Sequence, residues 1–141
     1  MKKTAVVYWS GTGNTESMAN AVVEGVKAAG AEAELMTSDQ VDAGKLAEFE
    51  AIAFGCPAMG AEELEETEFA PMFDGVKGAL SGKSVALFGS YGWGDGEWMR
   101  TWEDDCKANG MDLVCDSVIC CEAPDDDALE ACRKLGAELA K

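Results

Sequence analysis

The sequence predicts an α/β fold: an open, three-layer sheet of five parallel strands in the order 2-1-3-4-5, with helices on both faces. Three observations carry that prediction. Apolar periods of strand type and helix type alternate along the chain, as a parallel sheet with crossover helices requires. Residues 5–9, 51–56 and 84–89 are apolar almost throughout, which marks strands buried on both sides in the middle of such a sheet. Each of these runs leads into a glycine-bearing loop, and in open α/β sheets ligands bind beyond the carboxyl ends of the strands.

Taken in order, residues 5–9 form the first strand. The helix after it turns Met18, Val22, Val26 and Ala29 inward and is stopped by Gly30. Residues 31–36 alternate Glu32 and Glu34 with Ala31, Ala33 and Leu35, which fits a strand at a sheet edge. A long loop then reaches the third strand at 51–56. The next helix carries Phe69, Met72, Val76 and Leu80 on one stripe, ahead of the fourth strand at 84–89. Trp98, Trp102 and Cys106 line the following helix, which Gly110 ends. Residues 113–121 are of mixed polarity and read as the other edge strand. Asp125, Asp126 and Asp127 start a last helix, placing negative charge at its positive end, and Leu129, Cys132, Gly136 and Leu139 form its inner stripe. Right-handed crossovers then give the order 2-1-3-4-5, whose switch point lies between the first and third strands.

Composition narrows the function. At 141 residues with 48% hydrophobic side chains, the chain reads as one domain spanning 1–141. Its formal charge is -16, from 27 acidic and 11 basic side chains. That balance excludes nucleic acid and anionic membrane as partners and makes a basic protein surface the natural complement. With no histidine, triad hydrolases and histidine-bearing zinc sites are excluded. No apolar run approaches a membrane span, and the short run after Met1-Lys2-Lys3 reads as a strand rather than a signal peptide, so the expected location is cytoplasmic. The six cysteines then read as reduced, buried small hydrophobes. Cys115, Cys120 and Cys121 miss the plant-type iron–sulfur spacing and no Cys-x-x-Cys exists, so no metal site is expected.

The three loops at the strand ends carry the chemistry. Ser10-Gly11-Thr12-Gly13-Asn14-Thr15, set between a strand and a helix, offers backbone N–H groups, hydroxyls, an amide and a helix N-terminus to a phosphate. It lacks the lysine of a nucleotide hydrolase. Glu16 stands where a dinucleotide fingerprint needs its third glycine, and Tyr8, Trp9 and Cys56 replace the acidic residues of a phosphorylatable receiver. Gly82-Lys83-Ser84 resembles a P-loop end but precedes a strand instead of following one. The second loop, Cys56-Pro57-Ala58-Met59-Gly60-Ala61-Glu62-Glu63, sets a methionine at a loop tip; the third, Ser90-Tyr91-Gly92-Trp93-Gly94-Asp95-Gly96, sets two aromatics among glycines. A methionine and a tryptophan on flexible loops beside a phosphate cradle describe a slot for a planar heteroaromatic with a terminal phosphate.

These motifs, with Leu64-Glu65-Glu66 and the run from Val85 to Gly96, resemble the flavodoxins, and more specifically the short-chain flavodoxins of anaerobic bacteria, nearly end to end. The resemblance implies noncovalent FMN held by Trp9, Ser10, Gly11, Thr12, Gly13, Asn14 and Thr15, by Ala58, Met59, Gly60, Ala61 and Glu62, and by Ser90, Tyr91, Gly92, Trp93 and Gly94. In that arrangement Met59 and Trp93 cover the two ring faces, Glu62 accepts from N3–H, and the Gly60 carbonyl turns inward to accept from N5–H after reduction, favouring the neutral semiquinone. Ala61 stands where many relatives have a polar side chain, and Cys121-Glu122-Ala123-Pro124 lacks the amide often found near the pyrimidine edge.

The function so implied is low-potential, one-electron carriage on the semiquinone/hydroquinone couple by a monomer that docks with basic-faced redox proteins. It is not an enzyme, and no residue is catalytic. The acidic residues Glu62, Glu63, Glu65, Glu66, Asp95 and Glu97 are expected around the flavin, where they would penalise its anionic reduced form. The alternative, a flavin-dependent NAD(P)H quinone or disulfide reductase, needs loops for a second substrate that 141 residues leave little room for.

Overall fold

The computed structural model describes residues 3–11, 13–59, 64–92 and 96–141. Its central sheet is parallel and runs β2 (Glu32–Thr37), β1 (Lys3–Tyr8), β3 (Ala51–Gly55), β4 (Ser84–Tyr91), as predicted. The fifth position differs in detail. Residues 113–121 do not form one strand; β5 (Asp112–Leu113) and β6 (Val118–Cys121) both pair with β4. Val85 pairs with Leu113 and Phe88 with Val118, so the edge chain carries more residues than its partner over that stretch and bulges away. Ser117 ties the bulge to Glu103 through a 2.6 Å hydrogen bond.

Each sheet face has its own core. On one side Ile52, Phe54, Val85 and Leu87 meet α3 (Phe69–Val76) and α4 (Glu97–Ala108), and Phe54, Phe69, Phe73 and Trp102 pack edge-on or stacked at 5.3–6.4 Å between ring centroids. On the other side the sheet presents small residues, Ala51, Ala53 and Ala86, to α1 (Asn14–Ala28) and α5 (Asp126–Leu139). That face lets the two helices sit deep, and they also touch each other backbone to backbone. A Cβ built on Gly25 would lie 1.9 Å from the Arg133 carbonyl oxygen, and one on Gly136 would lie 2.2 Å from that of Val22.

Most inner stripes read from the sequence are where they were expected. Ala29 is an exception: α1 ends at Ala28, and Ala29 is exposed as the chain turns out at Gly30 with φ 90°. At the β2 edge Leu35 is 37% exposed and Met36 is buried, so the inward alternation fails there. The long loop before β3 is partly ordered into a 3-10 turn at Ser38–Gln40 and one helical turn, α2 (Ala43–Leu46), capped by Asp42, which accepts from Lys45 N–H at 2.8 Å. Asp125 caps α5 in the same way through Ala128 N–H, also at 2.8 Å.

The loop between β3 and α3 is closed at its base by a buried carboxylate. Glu65, only 5% exposed, accepts from the N–H groups of Thr67, Glu68 and Phe69 at 2.7–2.9 Å and from the Thr67 hydroxyl. These donors run from two residues before α3 to its first residue, so the charge meets the positive end of a helix. Burial alone would raise its pKa, but the hydrogen bonds from Thr67, Phe69 and Glu68 prevail and hold it at about 2. The Glu65 N–H in turn reaches Cys56 Sγ at 3.3 Å, and burial pushes that thiol up to about 12, so it stays neutral.

This packing makes two substitutions informative. Gly136→Ala forces a methyl into the backbone of α1 and should destabilise the apoprotein by about 3 kcal/mol, the upper end of overpacking costs; a urea midpoint within error of wild type would contradict the close helix contact. Glu65→Gln should lose roughly 2–3 kcal/mol at pH 7. Because the folded-state pKa is depressed, the stabilisation is complete above about 4.5 and is lost as pH falls toward about 2. Urea unfolding of both proteins should therefore show a gap that closes across that window, and a pH-independent gap would assign the effect to something other than the charge.

Candidate functional site

The carboxyl ends of β1, β3 and β4 are stitched together beyond their strands. Trp9 N–H reaches Gly55 O at 3.0 Å, Cys56 N–H reaches Phe88 O at 3.2 Å, and Ala58 N–H reaches Ser90 O at 3.0 Å. Glu122 N–H joins the loop after β6 to this set through Tyr91 O at 2.7 Å. Trp98 Nε1–H also binds Cys56 O at 3.2 Å. Gly89 makes the approach possible, since a Cβ there would stand 2.2 Å from the Cys56 carbonyl oxygen.

The loop after β1 enters α1 through Gly13, whose φ of 93° suits glycine alone among the standard residues without strain. Ser10 Oγ accepts from Gly13 N–H at 2.9 Å and shapes the turn. Among the described residues no side chain caps α1, in contrast to the aspartates of α2 and α5. A helix N-terminus whose capping position is a glycine presents its first amides outward, and with the macrodipole that is an anion receptor.

Two clefts flank this loop and share Trp9 and Gly11 as walls. One, about 420 Å³, is completed by Asn14, Pro57, Ala58, Met59, Ser90, Tyr91, Gly92 and Glu122. The other, about 400 Å³, is bounded by Tyr8, Glu16, Ser38, Asp39 and Glu68 among others. Neither is lined by lysine or arginine among the described residues. Tyr8 donates to Glu16 at 2.9 Å and Trp9 Nε1–H to Glu68 at 3.1 Å; burial, then the Glu16 carboxylate, raises the Tyr8 pKa.

Of the residues singled out in the sequence, Trp9, Gly11, Asn14, Ala58, Met59, Ser90, Tyr91 and Gly92 meet in the 420 Å³ cleft, while Ser10 and Gly13 border the 400 Å³ one. Thr15 is buried behind the wall, its Oγ1 3.3 Å from Ser90 Oγ. Thr12, Gly60, Ala61, Glu62, Glu63, Trp93, Gly94 and Asp95 lie outside the described residues. Met59 is 39% exposed, an apolar side chain held at the cleft mouth. Glu65 corrects an expectation: its carboxylate is spent on capping α3 and is not part of the acidic rim. Pro57 and Glu122 were not singled out as site residues. The loop Cys121-Glu122-Ala123-Pro124 is placed near the flavin by the family resemblance, but Glu122 as a cleft residue, with φ 61°, the only positive φ of a non-glycine residue among those described, carries no mark in the sequence.

The cleft suits FMN on its own chemistry. Its volume lies within the range of small-molecule sites, its walls are mostly apolar with a thioether and aromatic rings, and one end opens on an uncapped helix N-terminus. Comparison with known proteins agrees. The flavodoxin family model matches residues 6–136. The chain is 44% identical to a flavodoxin of Megasphaera elsdenii over 136 residues, covering 96% of this chain and 97% of that one, and 42% identical to one of Clostridium beijerinckii over 135 residues with the same coverage. It superposes on the solution structure of two-electron reduced Megasphaera elsdenii flavodoxin with a TM-score of 0.90, at 45% identity, covering 97% and 98% of the two chains. Strand order, an anion-receiving loop and match along nearly the whole length converge: this chain belongs to the flavodoxin family, FMN-binding electron carriers that are not enzymes.

Proposed function

We propose how the residues of this chain divide the work of a low-potential, one-electron carrier. The FMN phosphate takes the first amides of α1 and the hydroxyl groups of the Ser10-to-Thr15 loop. The ring lies in the 420 Å³ cleft against Met59, with Trp93, Gly60, Ala61, Glu62 and Gly94 closing it as the family resemblance implies. The observation that carries this reading is the uncapped α1 N-terminus opening on a cleft walled by Trp9, Met59 and Tyr91. Bound FMN supplies the one-electron chemistry; the protein supplies orientation, water exclusion and charge.

Charge sets the direction. Glu122 lines the cleft and the chain carries a net charge of -16, so additional negative charge in a partly desolvated site is disfavoured. Each tenfold loss of affinity for the more negative form lowers a one-electron potential by about 59 mV. The same excess of carboxylates opposes self-association, and we read the carrier as a cytoplasmic monomer that meets oxidoreductases through their basic faces.

Ser10→Ala removes the hydroxyl that shapes the phosphate turn, so the Kd for FMN should rise roughly tenfold, the worth of one hydrogen bond to a charged group. Riboflavin, which lacks the phosphate, should bind both proteins alike. Fluorescence quenching titrations read both affinities, and equal loss for the two flavins would move the phosphate elsewhere. Association with a basic redox protein should slow as ionic strength rises; stopped-flow rates that ignore salt would refute the proposed steering.

A further inference from the structure

Across Trp9 from the proposed FMN cleft lies the 400 Å³ cleft, which shares the Ser10-to-Gly13 side of the phosphate loop but also carries carboxylates the flavin does not use. We propose that it receives an arginine side chain of a basic redox partner, a step beyond the carrier reading that also rests on it. Three carboxylates face the cleft, Glu16, Asp39 and Glu68, and among the described residues no lysine or arginine lines it. Two are held in place by aromatic donors: Tyr8 binds Glu16 Oε2 and Trp9 Nε1–H binds Glu68 Oε2. Among the described residues the other oxygen of each is without a partner, so two pre-oriented acceptors remain.

A second observation is independent of the carboxylates. Ser38 lines the same cleft, is 3% exposed, and its hydroxyl has no hydrogen-bond partner among the described residues. A buried hydroxyl left unpaired is unfavourable, so a ligand that supplies it a partner is favoured. The turn bearing Ser38 and Asp39 is already set, because Thr37 N–H donates to Gln40 Oε1 at 3.0 Å and the Thr37 hydroxyl to Asp39.

The donor set selects among cations. The described carboxylates do not group closely enough to hold a metal ion. They are spread around aromatic walls, which suits a flat cation with several N–H donors. A guanidinium stacks on indole and reaches separated acceptors at once, whereas an ammonium is compact and strongly hydrated. Trp9 is a wall of both clefts, so an arginine seated here brings the partner's surface against the flank of the redox site.

The test is an NMR titration of the FMN-loaded protein with ethylguanidinium and, in parallel, ethylammonium at constant ionic strength, following the Trp9 Nε1–H resonance. A saturable shift with ethylguanidinium, at least about fivefold tighter than with ethylammonium, is the expected result. In the double variant Asp39→Asn/Glu68→Gln, whose introduced side-chain amide still offers the Trp9 indole an acceptor oxygen, the affinity should fall about tenfold. A Trp9 signal that does not move, equal affinity for the two cations, or undiminished binding in the double variant would each overturn the proposal. FMN quenching titrations report separately on the flavin site, so failure of this inference is distinguishable from failure of the carrier reading.

Discussion

The site depends on how deeply α1 is seated. Its N-terminus can receive an anion only if the helix axis is held against the sheet at one depth and one angle, and two close contacts do this. Alanines at 51, 53 and 86 lower the floor under the helix. Gly25 and Gly136 then let α1 and α5 meet at backbone distance, where a single methyl would collide with a carbonyl oxygen. A helix packed through side chains alone could rock on rotamer changes; one packed on carbonyl oxygens cannot, because backbone atoms have nowhere to go. The anion receptor is thus positioned from the far end of its own helix.

The opposite sheet face uses a different material for a similar end. Large rings fill it, and the loop carrying Met59 leaves that face pinned at its base by Glu65. A buried carboxylate is tolerable there because the N-terminal end of α3 supplies the hydrogen bonds that water would have made. The bulk of the negative charge is left at the surface, where it acts at long range. The polypeptide therefore separates two electrostatic tasks: one acidic group consumed in holding a loop, many others left to shape potential and encounter.

Much of this was legible beforehand for identifiable reasons. Central strands are read easily because burial on both faces demands continuous apolar runs, and the phosphate loop because glycines and hydroxyls between a strand and a helix have few other uses. The edge strand was read less well. Its pairing depends on β4 along one side only, so a bulge between Leu113 and Val118 costs little and leaves no compositional mark. Glu65 is not legible as a cap because its neighbours in the chain are acidic, while its partners in space are backbone amides that nearly every residue possesses.

The sequence by itself determined the order of elements, the central strands, the anion loop, the family and so the cofactor, because these rest on local periodicity and on short contiguous motifs. Tertiary structure alone decided that Gly25 and Gly136 are contact points, that Glu65 is a cap, that Glu122 reaches the cleft with a left-handed backbone, and that Ser38, Asp39 and Glu68 share a cleft with Tyr8, Trp9 and Glu16. Each of those facts joins groups distant in the chain, and what joins them is the fit of surfaces, which no linear pattern records.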